Sequence, residues 1–188
     1  MWFLKDYTAD NWAWAEFLNK EDCNRLVHEC KFDIKQAAVG KGIDKTIRDS
    51  HICWLKDTEK FEWIYRKCTD LTLAMNEKFF RYDIDFIEDL QFTVYDSSKG
   101  DQMYGKHIDT MTKGLGKPRK LSFSVQLSDP SDYEGGDLVI VDGENSKSCP
   151  KERGKAIFFP SYMLHEVKPV TKGVRYSLVG WVCGPPFK

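Results

Sequence analysis

A mixed α+β fold that is mainly β, a jelly-roll barrel with N-terminal helices packed outside it, follows from a change of rhythm along the chain. Before about residue 87 two stretches carry apolar residues at helical spacing, and from residue 88 apolar residues alternate with polar ones. Turn pairs at Gly135-Gly136, Asp142-Gly143 and Lys172-Gly173 then cut the second half into short strands, as a closed two-layered barrel requires.

Residues 1 to 17 hold Trp2, Phe3, Tyr7, Trp12, Trp14 and Phe17 without a settled period, which reads as a short strand and loop. A helix is expected from Asn19 to Cys30. Asn19 is a capping residue, Glu21 and Asp22 supply acids to the first turn, and Cys23, Leu26, Val27 and Cys30 form one stripe. His28 lies off that stripe, on the solvent side. Residues 32 to 55, with Gly40 and Gly42, read as a loop feeding a strand that ends at Leu55. A long helix is expected from Thr58 to Phe80, since Phe61, Ile64, Tyr65, Cys68, Leu71, Thr72, Met75 and Phe79 keep the 3.6-residue spacing.

The strands carry more information. In Leu90 to Tyr95 the even positions are apolar, leaving Gln91, Thr93 and Tyr95 on the other face. Leu121 to Leu127 repeats this with Ser122, Ser124 and Gln126, and Val174 to Val182 groups Arg175, Ser177, Val179 and Trp181. An open wet face would carry lysines and glutamates, so this mixture of hydroxyls, amides, aromatics and one arginine predicts a lined cavity. Further strands are expected at 137–141, 155–159 and from His165.

The totals bound the function. With 188 residues the length suits one domain, divided into a helical support and lid region (1–87) and a β core (88–182). Lysine plus arginine number 28 against 29 acidic residues, which leaves no global field for nucleic acid or an anionic membrane. The first residues lack a signal-peptide pattern, and no stretch of about 18 apolar residues occurs. Six scattered cysteines without CxxC pairs read as reduced thiols. A soluble cytoplasmic protein, monomer or homodimer, is expected.

The chemistry centres on His107-Ile108-Asp109. In an extended backbone the two polar side chains share one side while Ile108 turns into the wall. His165, 58 positions later, is far enough along to return on a neighbouring strand, and two imidazoles with one carboxylate form the facial set that holds ferrous iron with open positions. An ordinary pair of loop or core histidines is the alternative. Arg175 shares the cavity face of the last strand with no acid, and a buried guanidinium calls for an anion, either a ligand carboxylate or an acid from another strand.

Several segments in order resemble a known family. They are Tyr104-x-x-His107-x-Asp109; Leu121 to Pro130 followed by Asp132-Tyr133-Glu134-Gly135-Gly136-Asp137-Leu138; Phe159-Pro160-Ser161 with His165-Glu166-Val167-x-Pro169-Val170; and Gly173-x-Arg175-Tyr176-Ser177. Together they are similar to the 2-oxoglutarate- and Fe(II)-dependent dioxygenases, in the prolyl 4-hydroxylase-like branch that includes the bacterial PKHD-type hydroxylases. The resemblance spans residues 88 to 182 and, more loosely, the Arg48-x-Ser50 element.

That resemblance implies a double-stranded β-helix core (jelly-roll, cupin-like) with Fe(II) on His107, Asp109 and His165. It implies 2-oxoglutarate as cosubstrate, its distal carboxylate paired with Arg175, Tyr95, Ser177 and Gln126. It also implies O2 as oxidant, ascorbate as reductant, and succinate and CO2 as products. The implied substrate is a prolyl residue of a peptide or protein, with Tyr104, Trp181 and Arg48 as substrate residues. The glycine-rich run Lys113 to Lys120 and the 32–50 loop are candidate covers. Related nucleic-acid demethylases of the AlkB type carry a second arginine six positions beyond the first, where this chain has Trp181. A hydroxylase of a free amino acid or small molecule, and a non-catalytic jelly-roll binding module, are the competing readings.

Overall fold

The computed structural model describes residues 11 to 187 except 41, 111, 114, 115 and 144. Among the described residues the strands, in chain order, are β1 (Ala13–Glu16), β2 (Lys35–Gln36), β3 (Arg48–Asp49), β4 (His51–Leu55), β5 (Phe86–Ile87), β6 (Leu90–Asp96), β7 (Met103–His107) and β8 (Thr112–Lys113). They continue as β9 (Lys117–Gln126), β10 (Tyr133–Gly135), β11 (Leu138–Asp142), β12 (Asn145–Ser148), β13 (Lys155–Pro160), β14 (Leu164–Val167) and β15 (Val170–Cys183). The helices are α1 (Lys20–Cys30) and α2 (Glu62–Met75).

The strands form two sheets. The major one runs β1-β13-β9-β15-β6-β4-β2 and the minor one β12-β11-β14-β7-β3, the jelly-roll arrangement expected from the strand count. The alternation along β6, β9 and β15 sorts side chains between two cores. Leu90, Phe92, Val94, Leu121, Phe123, Val125 and Leu178 pack outward against the helices, while Tyr95, Ile157 and Phe159 join Leu138, Ile140 and Val170 between the sheets. The polar face is not wet: Gln91, Thr93, Ser122, Gln126, Arg175 and Ser177 are all buried.

Helix α1 forms as its sequence requires. The Asn19 side chain accepts from the Asp22 N–H at 2.8 Å, a cap worth about 1 kcal/mol, and Cys23, Leu26 and Cys30 face the core. His28 is exposed, as expected. Helix α2 begins at Glu62, four residues after the expected start. Residues 58 to 61 make a turn instead, closed by the Phe61 N–H on the Thr58 carbonyl, because Thr58, Glu59 and Lys60 are exposed and offer no apolar stripe to bury. At its other end a π-turn over Asn76–Phe80 stops at Arg81, in the left-handed region at φ 56°. Asn76 bonds both the N–H and the carbonyl of Tyr82 there, which fixes the exit.

Two expected covers are more strongly tied than a free loop. Arg48–Asp49 pairs with β7 and Lys35–Gln36 with β4, so both ends of the 32–50 segment are stitched into sheets. Of the glycine-rich run, Lys117 to Lys120 belong to β9, and Arg119 and Lys120 are buried; Gly114 and Leu115 lie outside the described residues. Strand β1 falls within the strand and loop expected for residues 1 to 17, of which 1 to 10 lie outside the described residues. No helix among the described residues is long and apolar enough to cross a membrane.

Candidate metal centre and cosubstrate pocket

The minor sheet brings the two histidines together. Strands β7 and β14 run antiparallel with His107 opposite His165, but Tyr104 pairs with Val167, so β7 carries one residue more than β14 between the two pairs. This bulge turns Tyr104 onto the same face as His107, three residues away, where a regular strand would put them on opposite faces. Their rings stack with centroids 3.5 Å apart. Gly105 sits in the bulge and donates its N–H to the Ile47 carbonyl; a Cβ there would lie 3.3 Å from that oxygen.

Asp109 follows the end of β7, held by its own N–H and that of Thr110 on the Ser161 carbonyl. Its carboxylate meets the major sheet: Ser122 Oγ donates to Oδ2 at 2.8 Å, and Ser161 Oγ lies 2.9 Å from Ser122 Oγ. His107 Nε2 is 3.7 Å from one Asp109 oxygen and His165 Nε2 is 3.5 Å from the other. These ligand atoms all lie within 4.8 Å of one another. Ile108 is 53% exposed, contrary to the expectation that it turns into the wall, because it lies past the strand end where nothing covers it.

The tautomers follow from the backbone. Each Nδ1 faces a carbonyl, Gly105 O at 2.8 Å for His107 and Met163 O at 2.9 Å for His165, so Nδ1 carries the proton and Nε2 presents a lone pair inward. Burial, then the neighbouring His165, holds His107 down to about 4, leaving it neutral and ready to ligate at physiological pH. Two neutral imidazoles and a carboxylate fit a ferrous ion as a facial set.

Arg175 lies on the cavity face of β15, 1% exposed, between β6 and β9. Its Nη2 donates to Gln126 Oε1 at 2.9 Å, and its guanidinium lies 5.5 Å from the centre of the Tyr95 ring. Nε and Nη1 are buried with no partner, and among the described residues no acid lies within ion-pair distance. Gln126, expected beside the cosubstrate, accepts from Arg175 and donates one N–H of Nε2 to the Pro150 carbonyl at 3.2 Å. Ser177 is buried opposite Thr93 and Gln126.

Of the expected substrate residues, Arg48 is buried. It bonds Ser50 Oγ at 3.0 Å and Gln91 Oε1 at 2.7 Å and lies 4.5 Å over the Tyr104 ring, completing an Arg48–Tyr104–His107 stack. Trp181 pairs in register with Ser122, on the Asp109 side of the cavity, and contacts Trp54 at 6.0 Å between ring centroids. Its Nε1 is buried without a partner. A second bulge, at Lys120, puts Arg119 on the face of Trp181, 4.0 Å from the ring, where Glu88 holds the guanidinium by two hydrogen bonds.

The sequence reading missed the support. Ser122 was legible as a cavity residue, but its bond to Asp109 depends on how the two sheets face each other. The Glu88–Arg119 pair, 31 positions apart, left no signal at all.

The model of the 2OG-Fe(II) oxygenase superfamily matches residues 90 to 183, half of the chain. The chain belongs to the 2OG-Fe(II) oxygenase superfamily. The match covers β6 to β15, so the triad and Arg175 lie within it. Among curated relatives, a PKHD-type hydroxylase of Idiomarina loihiensis is 42% identical over 81 residues, covering 43% of this chain and 37% of that protein. Another, from Picosynechococcus sp., is 46% identical over 79 residues, 42% of this chain and 36% of the relative. The matched stretch thus spans little more than a third of those relatives' length. Among solved structures, a prolyl-4-hydroxylase of Pseudomonas putida aligns at TM-score 0.74 and 22% identity over 94% of each chain. A Trichoplax adhaerens prolyl hydroxylase in complex with a hypoxia inducible factor peptide fragment aligns at TM-score 0.75 and 17% identity, over 92% of this chain and 83% of that one. These likenesses establish the fold. Fe(II), 2-oxoglutarate and O2 are the superfamily's cofactors, and the His107–Asp109–His165 cluster suits the metal.

Proposed function

We propose that this protein is a 2-oxoglutarate-dependent hydroxylase acting on a prolyl residue of a peptide or protein. The observation that carries the reading is the pairing of a buried facial triad with a buried arginine whose Nε and Nη1 have no partner, in one cavity. When bound, Fe(II) and 2-oxoglutarate supply the oxidising power: one oxygen of O2 enters a C–H bond, the other enters the cosubstrate, and 2-oxoglutarate leaves as succinate and CO2.

The chain's own residues do the rest. His107, Asp109 and His165 would hold the metal through two imidazole nitrogens and one carboxylate. Ser122 fixes the Asp109 carboxylate, and the two backbone carbonyls fix the imidazoles. Arg175, oriented by Gln126 with Tyr95 and Ser177 alongside, receives the distal carboxylate. Tyr104, stacked between Arg48 and His107, and Trp181, with Arg119 against its ring, are the aromatic side chains beside the triad that would border a bound proline. Arg48 stiffens the Tyr104 wall from behind.

The whole chain acts in this reading as one oxygenase domain, as a monomer or homodimer, with no nucleic-acid or membrane partner. All six cysteines are free, which supports a reducing, cytoplasmic setting that also keeps iron ferrous, with ascorbate as reductant. The test is to incubate the protein with Fe(II), ascorbate, 2-oxoglutarate and a panel of proline-containing peptides, reading succinate and the gain of one oxygen by mass spectrometry. Oxidation of a proline in a peptide is the expected result. Succinate without peptide oxidation would move the substrate to a small molecule, and no succinate with any substrate would end the oxygenase reading.

A further inference from the structure

We infer that Tyr133 is a second donor to the distal carboxylate of a dicarboxylic 2-oxo acid, closing over it opposite Tyr95. The inference rests on the cosubstrate reading above and adds to it a residue that enforces the choice of a dicarboxylic acid.

The strand register puts Tyr133 there. β10 pairs with β15 so that Tyr133 stands opposite Gly173, and Arg175 is two residues further along the same face. Tyr95 stands opposite Arg175 from β6, on the other side. The guanidinium therefore lies between two phenol rings. Gly136 allows the close approach: at φ +63°, a Cβ there would lie 2.9 Å from Arg175 Cδ and 3.3 Å from Tyr133 Cε2, so both side chains crowd one point that only a glycine leaves open.

The hydrogen-bond accounting points to a ligand. Tyr133 is 4% exposed, its hydroxyl oxygen facing the Arg175 guanidinium and its proton without an acceptor; Arg175 Nε and Nη1 likewise have no acceptor. A buried donor left unmade costs about 1–3 kcal/mol, and three together are rare in a native interior. The protein offers no acceptor to all three among the described residues. A carboxylate does, since its two oxygens carry roughly four acceptor sites and take charge-assisted bonds from a guanidinium and a phenol together. A 2-oxo acid lacking the distal carboxylate would bury these donors unpaired, so the pocket selects against it.

The test is Tyr133→Phe in the Fe(II)-loaded full chain under argon, with calorimetric binding of 2-oxoglutarate and of pyruvate, which lacks the distal carboxylate. Loss of one bond to a charged acceptor is expected to weaken 2-oxoglutarate about tenfold to a hundredfold and leave pyruvate unchanged. The ligand-free melting temperature should hold or rise, because the substitution removes an unpartnered buried hydroxyl. A 2-oxoglutarate affinity within twofold of wild type overturns the inference, as does an equal loss for both ligands or a lower ligand-free melting temperature. Wild-type protein that binds no 2-oxoglutarate removes the cosubstrate reading itself, a result separate from a silent Tyr133→Phe.

Discussion

Ser122→Ala is the sharpest probe of how the two sheets share the metal site. In the metal-free protein Ser122 supplies a direct hydroxyl donor to a buried carboxylate, and its own oxygen meets Ser161 Oγ, so removing one hydroxyl breaks a chain of two bonds. A hydrogen bond to a charged group contributes about 1.5–3 kcal/mol, and at this chain length each kcal/mol moves Tm by about 2–4 °C. The expected fall in metal-free Tm is therefore about 3–12 °C. Metal affinity should drop about tenfold to a hundredfold, the usual effect of losing a partner that orients a ligand. Both are read by thermal melts with and without Fe(II) or Co(II) and by competition with a chelator of known affinity. Ser124→Ala, two residues along on the same buried face, is the control and should leave affinity within twofold. If Ser122→Ala folds and binds metal as tightly as wild type, Asp109 is held by its backbone bonds alone and the role given to the major sheet is wrong.

Three further outcomes follow. Arg175→Met should abolish measurable 2-oxoglutarate binding yet change ligand-free stability by no more than about 1 kcal/mol, since it removes a half-unpartnered buried charge; calorimetry and melts decide it, and a large loss of stability would mean the guanidinium is structural. Gly136→Ala should destabilise the fold by about 1–3 kcal/mol and weaken cosubstrate binding, since the left-handed backbone and the 2.8 Å approach to Val170 both oppose a Cβ; an unchanged Tm would contradict this. Burial pushes the thiols of Cys30, Cys149 and Cys183 up to about 12. A raised value keeps them protonated, so at pH 8 about one in ten thousand is thiolate and iodoacetamide should label the native protein slowly, but all six sites after unfolding. Rapid native labelling of these three, read by peptide mapping, would refute the burial.

What the sequence disclosed and what it hid divide along a physical line. Period-two alternation exposed the cavity face of β6, β9 and β15, because a strand's two faces are set by local geometry alone. The capped start of α1 was legible for the same reason: Asn19 acts on a residue three positions away. The bulges in β7 and β9 were not legible, since an extra residue exists only relative to a partner strand. Yet those bulges stack Tyr104 on His107 and aim Arg119 at Trp181. The reading of Ile108 as a wall residue failed because it extended the strand two residues too far. The Thr58 start failed because spacing cannot tell a helical turn from a helix when no apolar side chain marks the difference.

Arg175 shows what this fold gives up for its site. A buried guanidinium that bonds Gln126 and leaves Nε and Nη1 without an acceptor destabilises the ligand-free protein relative to an apolar residue of the same size. The fold tolerates it because β6, β9 and β10 fix the arginine's position on β15 at once. That rigidity is also what gives the arrangement its value: donors that cannot swing away to find water lose no further freedom when a carboxylate arrives, so their unmet bonds are returned as affinity. A more exposed or flexible arginine would leave the free protein more stable and would bind less. The strain and the selectivity of the pocket therefore have one origin, and any change that satisfies Arg175 internally should stabilise the chain at the expense of its cosubstrate.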